Sequence, residues 1–369
     1  MNISNPNTFN IFLAIFFIAT TVFSFLLNRL LLKFSKNLGI RNHDETIIRW
    51  SETSKPALGG ITFYIIFLIS GASYSLFFEQ QDILFNIKLL GLFAASGLGF
   101  LMGLSDDAYN TKPGLKFIVQ VLCGVILTNT GTQITLFGND VINHIITVIW
   151  VIGIMNSINM LDNMDGITTI VSIFILITAL ISAFFGNPVN NIFLFLIMGV
   201  LSALIGFLFY NWNPSKMFMG DTGSQFLGVF LSAISITYLW NHNVVLEVEA
   251  ATKQIIIVML AFIVPIIDTT TVSINRISRG QSPFVGGKDH TTHHLSYLGL
   301  SDRQVALLLA LVCFLSLLLV AAIILLINTW SYWYFLFFLI YFLILFTLLF
   351  STTHLSKAEQ KNEDRNPMV

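Results

Sequence analysis

The stretch NSINMLDNMDG, residues 156–166, sets two carboxylates and three carboxamides between the apolar runs ITVIWVIGIM and ITTIVSIFILITALISAFF. Carboxylates hold Mg2+ or a sugar hydroxyl, and amides hold a diphosphate or a base edge. Other acids stand at similar junctions: Asp106 and Asp107 in GLSDDAYNTKPGLKF, Asp221 in FMGDTGS and Asp268 in VPIIDTT. The segment FVGGKDHTTHHL adds His290, His293 and His294. Each has a plain structural explanation when taken alone. An Asp before a helix is usually an N-cap, adjacent acids suit a solvated loop, and loop histidines usually face water. Acids at membrane depth are expensive and mark a site or an ion path. Several such clusters on one face are a far stronger signal than any one of them.

Spacing refines the chemistry. A helix continuing through Asp162 would put Asn156, Asn159 and Asn163 on one stripe, with Asp162 and Asp165 on the next. Adjacent helical residues point about 100° apart, so Asp106 and Asp107 are expected to take separate tasks. In MGDTGSQFLG, glycines flank Asp221 ahead of an apolar run. That pattern predicts a helix start with free backbone N–H groups, an anion seat beside a metal-binding carboxylate.

The elements that position these residues are membrane helices. The 369 residues are 55% hydrophobic and 10% charged, against about a quarter charged in a soluble domain. Mean hydropathy is +0.81. At roughly 20 apolar residues per crossing, the runs predict an all-α polytopic protein with 11 transmembrane helices. They fall near 9–33, 58–78, 86–104, 115–130, 141–157, 166–185, 189–210, 223–240, 252–274, 304–328 and 329–350. Residues 1–355 form one transmembrane catalytic domain in this reading, and 356–369 a polar, disordered cytoplasmic tail. The first run is too long for a signal-peptide core and lacks a preceding basic residue, so it is expected to be retained. GTQITLFGND alternates as a short outer hairpin would. Sixteen of the 18 Lys and Arg fall on one side of this threading, with Lys88 and Lys253 the exceptions. The positive-inside rule then places the amino terminus outside, and the tail and acids at the cytoplasmic face. Cys123 and Cys313 lie inside apolar runs and read as small core hydrophobes. The net charge of −1 gives no reason to expect nucleic acid.

Carboxylates, amides, lysines and histidines at a membrane face suit phosphates, with Mg2+ bridging a diphosphate and lysines supplying point charges. No Walker loop or dinucleotide-binding glycine fingerprint is present, so ATP- or NAD-driven chemistry has no support. A proton-coupled transporter is the rival outside enzymology, although transporters place their ionisable groups near the midplane. An aspartate-rich intramembrane prenyltransferase would explain NMLDNMD but not MGDTGS or the histidines.

The ordered motifs KPALGG (55–60), DDAYNTKPGLKF, NSINMLDNMDG, NWNPSKMFMGDTGS and HTTHH resemble those of the polyprenyl-phosphate N-acetylhexosamine-1-phosphate transferases, over about residues 40–300. The resemblance implies transfer of a sugar-1-phosphate from a UDP-N-acetylhexosamine to undecaprenyl or another polyprenyl phosphate. UMP is released, in a first membrane step of a cell-envelope glycan pathway at the bacterial cytoplasmic membrane. The UDP-N-acetylglucosamine branch fits best, with a phospho-MurNAc-pentapeptide transferase the near alternative and a homodimer a candidate assembly. It implies Mg2+, or Mn2+ in its place, on Asp221. Asp106, Asp107, Asp162 and Asp165 match the family's catalytic acids. Lys55, Lys112, Lys116, Asn156, Asn159, Asn211, Phe218, His293 and His294 match substrate-binding positions, and His290 is expected to replace the first histidine of the loop. Two departures stand out: Asn163 replaces the usual Gly, and Thr291 occupies the first His position of HxHH.

Overall fold

The computed structural model describes residues 6–37, 55–78, 86–185, 191–242, 248–283 and 287–365. Lys36 lies at the edge of this set, and Arg41 and Arg49, counted in the charge reading, lie outside it. The described chain is helical: α1 Pro6–Asn37, α2 Gly59–Phe77, α3 Ile87–Tyr109, α4 Pro113–Asn129, α5 Asp140–Leu161, α6 Ile167–Phe185 and α7 Asn191–Asn211. There follow α8 Gly220–Ser235, which continues as a π-helical turn through Trp240, then α9 Val248–Ala261, α10 Ile263–Ser278, α11 Thr291–Tyr297, α12 Asp302–Leu325 and α13 Tyr332–Arg365. Among the described residues nine helices are long and apolar enough to cross a membrane.

Two of the 11 expected spans are not among these nine. α4, at 17 residues, lies where the run over 115–130 was expected and is shorter than each of the nine. The run expected over 252–274 is two helices, α9 and α10, bent by 80° at Phe262. Pro265 accounts for the break: in a continuous helix its ring would collide with the carbonyl four residues back and leave it without a donor. At the third position of a new helix neither penalty applies, because no intrahelical N–H bond is required there.

α8 is the centre of the bundle. It is 94% buried in its apolar window, whereas the windows of α1 and α13 are each 17% buried and form the lipid-facing rim. On α1, Ile11, Ile15, Ile18, Val22, Leu26 and Leu30 are all exposed at helical spacing, which in water would be unfavourable and in lipid is the expected outward stripe. α2, α3 and α5 pack directly on α8. The approach is close because side chains are missing where backbones meet. A Cβ on Gly103 would overlap the Asp221 carbonyl, and one on Gly60 would overlap the backbone of Gly223.

One further expectation is corrected. Residues 132–139 form no hairpin. Asn241 binds this segment instead, accepting from Thr135 N and Oγ1 and donating to the Gln133 carbonyl, so a side chain satisfies the backbone that a strand partner would have paired. α13 continues through the first part of the polar segment, to Arg365. KAEQKNEDR is rich in strong helix formers, and proline first appears at 367.

Candidate active site at the converging helix ends

The C-terminal ends of α3 and α5 and the N-terminal ends of α4 and α8 meet around Lys116. Its ammonium lies between two carboxylates, in direct contact with Asp106 and 2.9 Å from Asp221 Oδ2. Asp106 is buried and accepts on its other oxygen from Thr111 N at 2.8 Å and Thr111 Oγ1 at 2.5 Å. Asn159 Nδ2 donates to Asp221 Oδ1 and to Ser224 Oγ, both at 2.9 Å. Below this layer, one helical turn deeper on each helix, Gln120 and Asn156 exchange amide hydrogen bonds of 2.8 and 3.2 Å, and Gln120 also donates to Gln225 at 3.4 Å.

Asp107 takes a different task from Asp106, as the adjacent-residue geometry predicts. Its oxygens accept from Asp221 N at 3.0 Å, Thr222 N at 2.9 Å and Thr222 Oγ1 at 2.6 Å. These N–H groups belong to the first turn of α8, whose own preceding residue, Met219, supplies no side-chain cap. The free anion seat expected at this helix start is therefore filled by a carboxylate from α3. An acid there also suits the positive end of the helix dipole.

α5 ends at Leu161, with Asp162 as its C-cap. The stripe expected to run on through Asn163 stops there: the helix ends, and Asn163 turns its Nδ2 back to the Met160 carbonyl at 2.9 Å. Withdrawal from water pushes the Asp162 carboxyl up to about 8, reinforced by the charges of Asp221, Asp107 and Asp165. Burial disfavours the charged carboxylate, and the neighbouring acids add to that. Asp165 accepts from Ser215 N at 2.8 Å, Ser215 Oγ at 2.7 Å and Asn213 Nδ2 at 3.2 Å, and so braces the loop after α7.

That loop runs beside the segment entering α2. Phe218 N donates to the Pro56 carbonyl, while Gly59 N and Gly60 N donate to the carbonyls of Phe218 and Met219. The pairing explains why KPALGG and FMGD occur together: each supplies the other's backbone partners. It also places Lys55 2.9 Å from Ser215 Oγ, 3.6 Å from Asp165 and over the Phe218 ring. Asn211 is buried, accepts from Thr169 Oγ1 at 2.7 Å and donates to the Met217 carbonyl, so it holds the loop's shape. Lys112 is exposed ahead of α4 and lies outside the carboxylate layer.

The histidines begin α11. Asp268 on α10 accepts from Thr291 N at 2.8 Å and pairs with His290 Nδ1 at 2.9 Å, both residues buried. Burial holds the His293 imidazole neutral down to about 3, with the His290 charge adding to the effect. Asp289 is partly desolvated, yet Arg276, bidentate at 2.6 and 3.0 Å, and Arg279 at 2.7 Å bring its carboxyl down to about 2.

Sequence reasoning passed over Gln120, Gln225 and Thr222. The first two had a readable signal: Gln120 lies four residues after Lys116 and Gln225 four after Asp221, on the same helix faces as the charged pair. Among the described residues no group of three His, Cys, Asp or Glu side chains forms a ready metal cage. Mg2+ needs none, because it binds through one or two carboxylates and completes its shell with water and substrate phosphates. The hard-oxygen pair Asp106 and Asp221, already converging on one cation, fits that requirement.

Fold and site together define a class: all-helical, polytopic membrane proteins with a carboxylate–lysine cluster where helix ends converge. Residues 89–239 match the family model described as glycosyl transferase family 4. The chain is 30% identical over 269 residues to the probable undecaprenyl-phosphate N-acetylglucosaminyl 1-phosphate transferase of Bacillus subtilis, covering 70% of this chain and 71% of that protein. It is 27% identical to the decaprenyl-phosphate N-acetylglucosaminephosphotransferase of Mycolicibacterium smegmatis, over 69% and 68% of the two chains. A phospho-N-acetylmuramoyl-pentapeptide-transferase of Staphylococcus saprophyticus is 32% identical over 50% of this chain and 63% of its own. The chain belongs to glycosyl transferase family 4.

Proposed function

We propose that this protein transfers N-acetylglucosamine-1-phosphate from a UDP-sugar to undecaprenyl or another polyprenyl phosphate. An oxygen of the lipid phosphate attacks the sugar-bearing phosphorus, the bond to the bridging oxygen breaks, and UMP leaves with the electron pair. The observation that carries the reading is the Asp106–Lys116–Asp221 cluster with Asn159, built from four helix ends that converge. Relatives named for N-acetylglucosamine cover more of this chain than the one named for the muramoyl-pentapeptide. Lys116 and Lys55 supply positive charge for the phosphates, Asn159 orients Asp221, and the buried amide layer beneath excludes water. Asp221 and Asp106 would hold Mg2+ or Mn2+, which supplies charge neutralisation when bound. Because a phosphate monoester is mostly ionised at pH 7, positioning and electrostatics suffice without a dedicated base.

The distribution of Lys and Arg supports a site at the cytoplasmic face of a bacterial inner membrane and an amino terminus outside, with 11 crossings when α4 and the α9–α10 pair are each counted. The lipid acceptor then arrives from the bilayer and the nucleotide sugar from the cytosol. The test is UMP release by purified protein in detergent with undecaprenyl phosphate, Mg2+ and a panel of UDP-sugars. Lipid-dependent UMP with UDP-N-acetylglucosamine, abolished by chelator, is the expected result. UMP only with the muramoyl-pentapeptide donor would replace the sugar, and none with any donor would reject transfer.

A further inference from the structure

Thr292, in the first turn of α11, is buried, and a buried hydroxyl needs a partner. It donates to Asn163 Oδ1 at 2.7 Å, across 129 positions of sequence. Asn163 is oriented for this bond, since its Nδ2 is occupied by the Met160 carbonyl at the end of α5. It stands between Asp162 and Asp165, while Thr292 stands between His290 and His293. The first turn of α11 is thus held at two points, to α10 through Asp268 and to the acidic turn through Asn163.

We propose that Asn163 and Thr292 are a pair of positioning residues for the sugar-phosphate donor. Their hydrogen bond sets the separation between the acidic turn and the histidine helix, and so the width of the mouth that receives the donor. This rests on the transferase reading above. The bond is neutral and short.

The experiment measures UMP release by the full-length protein in detergent, varying UDP-N-acetylglucosamine and undecaprenyl phosphate separately. The variants are Thr292→Val, Thr292→Ser, Asn163→Ala and the Val/Ala double. Expected are a rise of about five- to tenfold in donor KM for Thr292→Val and Asn163→Ala, and acceptor KM and kcat within about twofold of wild type. Thr292→Ser restores the wild-type value, and the double variant is no worse than either single, because one bond is lost once. Equal changes in donor and acceptor KM, additive singles, or unchanged donor KM in an active enzyme would overturn the proposal while leaving the transferase reading intact. Failure of the wild type to release UMP with any donor rejects that reading first, and this inference with it.

Discussion

Asp107→Ala separates a helix cap from a catalytic acid. In the native protein this carboxylate accepts two backbone N–H groups and a hydroxyl at the start of α8. Thr222 is 1% exposed, so water cannot readily replace the lost partner. Removing a capping side chain costs about 0.5–2 kcal/mol, and a hydrogen bond to a charged group is worth about 1.5–3 kcal/mol. The three bonds share one carboxylate and do not add, so a loss of about 2–4 kcal/mol is expected. At roughly 2 °C per kcal/mol for a chain of this size, Tm should fall by about 4–8 °C. Asp107→Asn keeps one accepting oxygen and should fall by about half as much. Thermal unfolding in detergent and UMP release would be measured on the same preparations, with Asp106→Asn as the contrast. Asp106 faces Lys116 and caps no helix start, so its variant should lose turnover with a smaller change in Tm. Turnover abolished in Asp107→Ala with Tm within about 1 °C of wild type would refute the capping account and restore Asp107 as a catalytic acid.

Lys116→Met leaves Asp106 and Asp221 facing each other without their shared cation, and turnover should fall by about 10²-fold in single-turnover UMP assays; unchanged turnover would remove Lys116 from the site. Asp165→Asn removes the charge from three bonds to the Asn213–Ser215 segment. It should cost about 1–3 kcal/mol of stability and less turnover than Asp162→Asn, read by unfolding and steady-state kinetics together. His293 stays neutral in the fold down to about 3 but titrates near 6.5 when unfolded. Between those values the unfolded chain binds the extra proton, so stability rises with pH and this contribution is complete above about 6.5. Unfolding followed from pH 7.5 to 5 should show falling Tm, with a shallower slope in His293→Gln; an unaltered slope would place the pH dependence elsewhere.

Much of the site was readable because its chemistry is local. Asp106, Asp221, Asn159 and Lys116 are ionisable or amide groups in an otherwise apolar chain, and hydrophobic spacing placed each near a helix end. The break at Pro265 rests on a propensity the sequence also carried, but a continuous apolar run hid it. The division of labour within DD was predicted in kind and not in content. That Asp107 caps α8, Asp165 braces the loop after α7 and Asn163 holds α11 depends on partners 114, 50 and 129 positions away. The sequence by itself determined which residues are ionisable, which stretches are apolar enough to cross a bilayer and where the two meet, because those follow from composition and period. Which carboxylate faces Lys116 and which is spent on a helix start was decided only in the tertiary structure. There the approach of α3 to α8 over Gly103 brings one acid to free N–H groups and leaves its neighbour to the site.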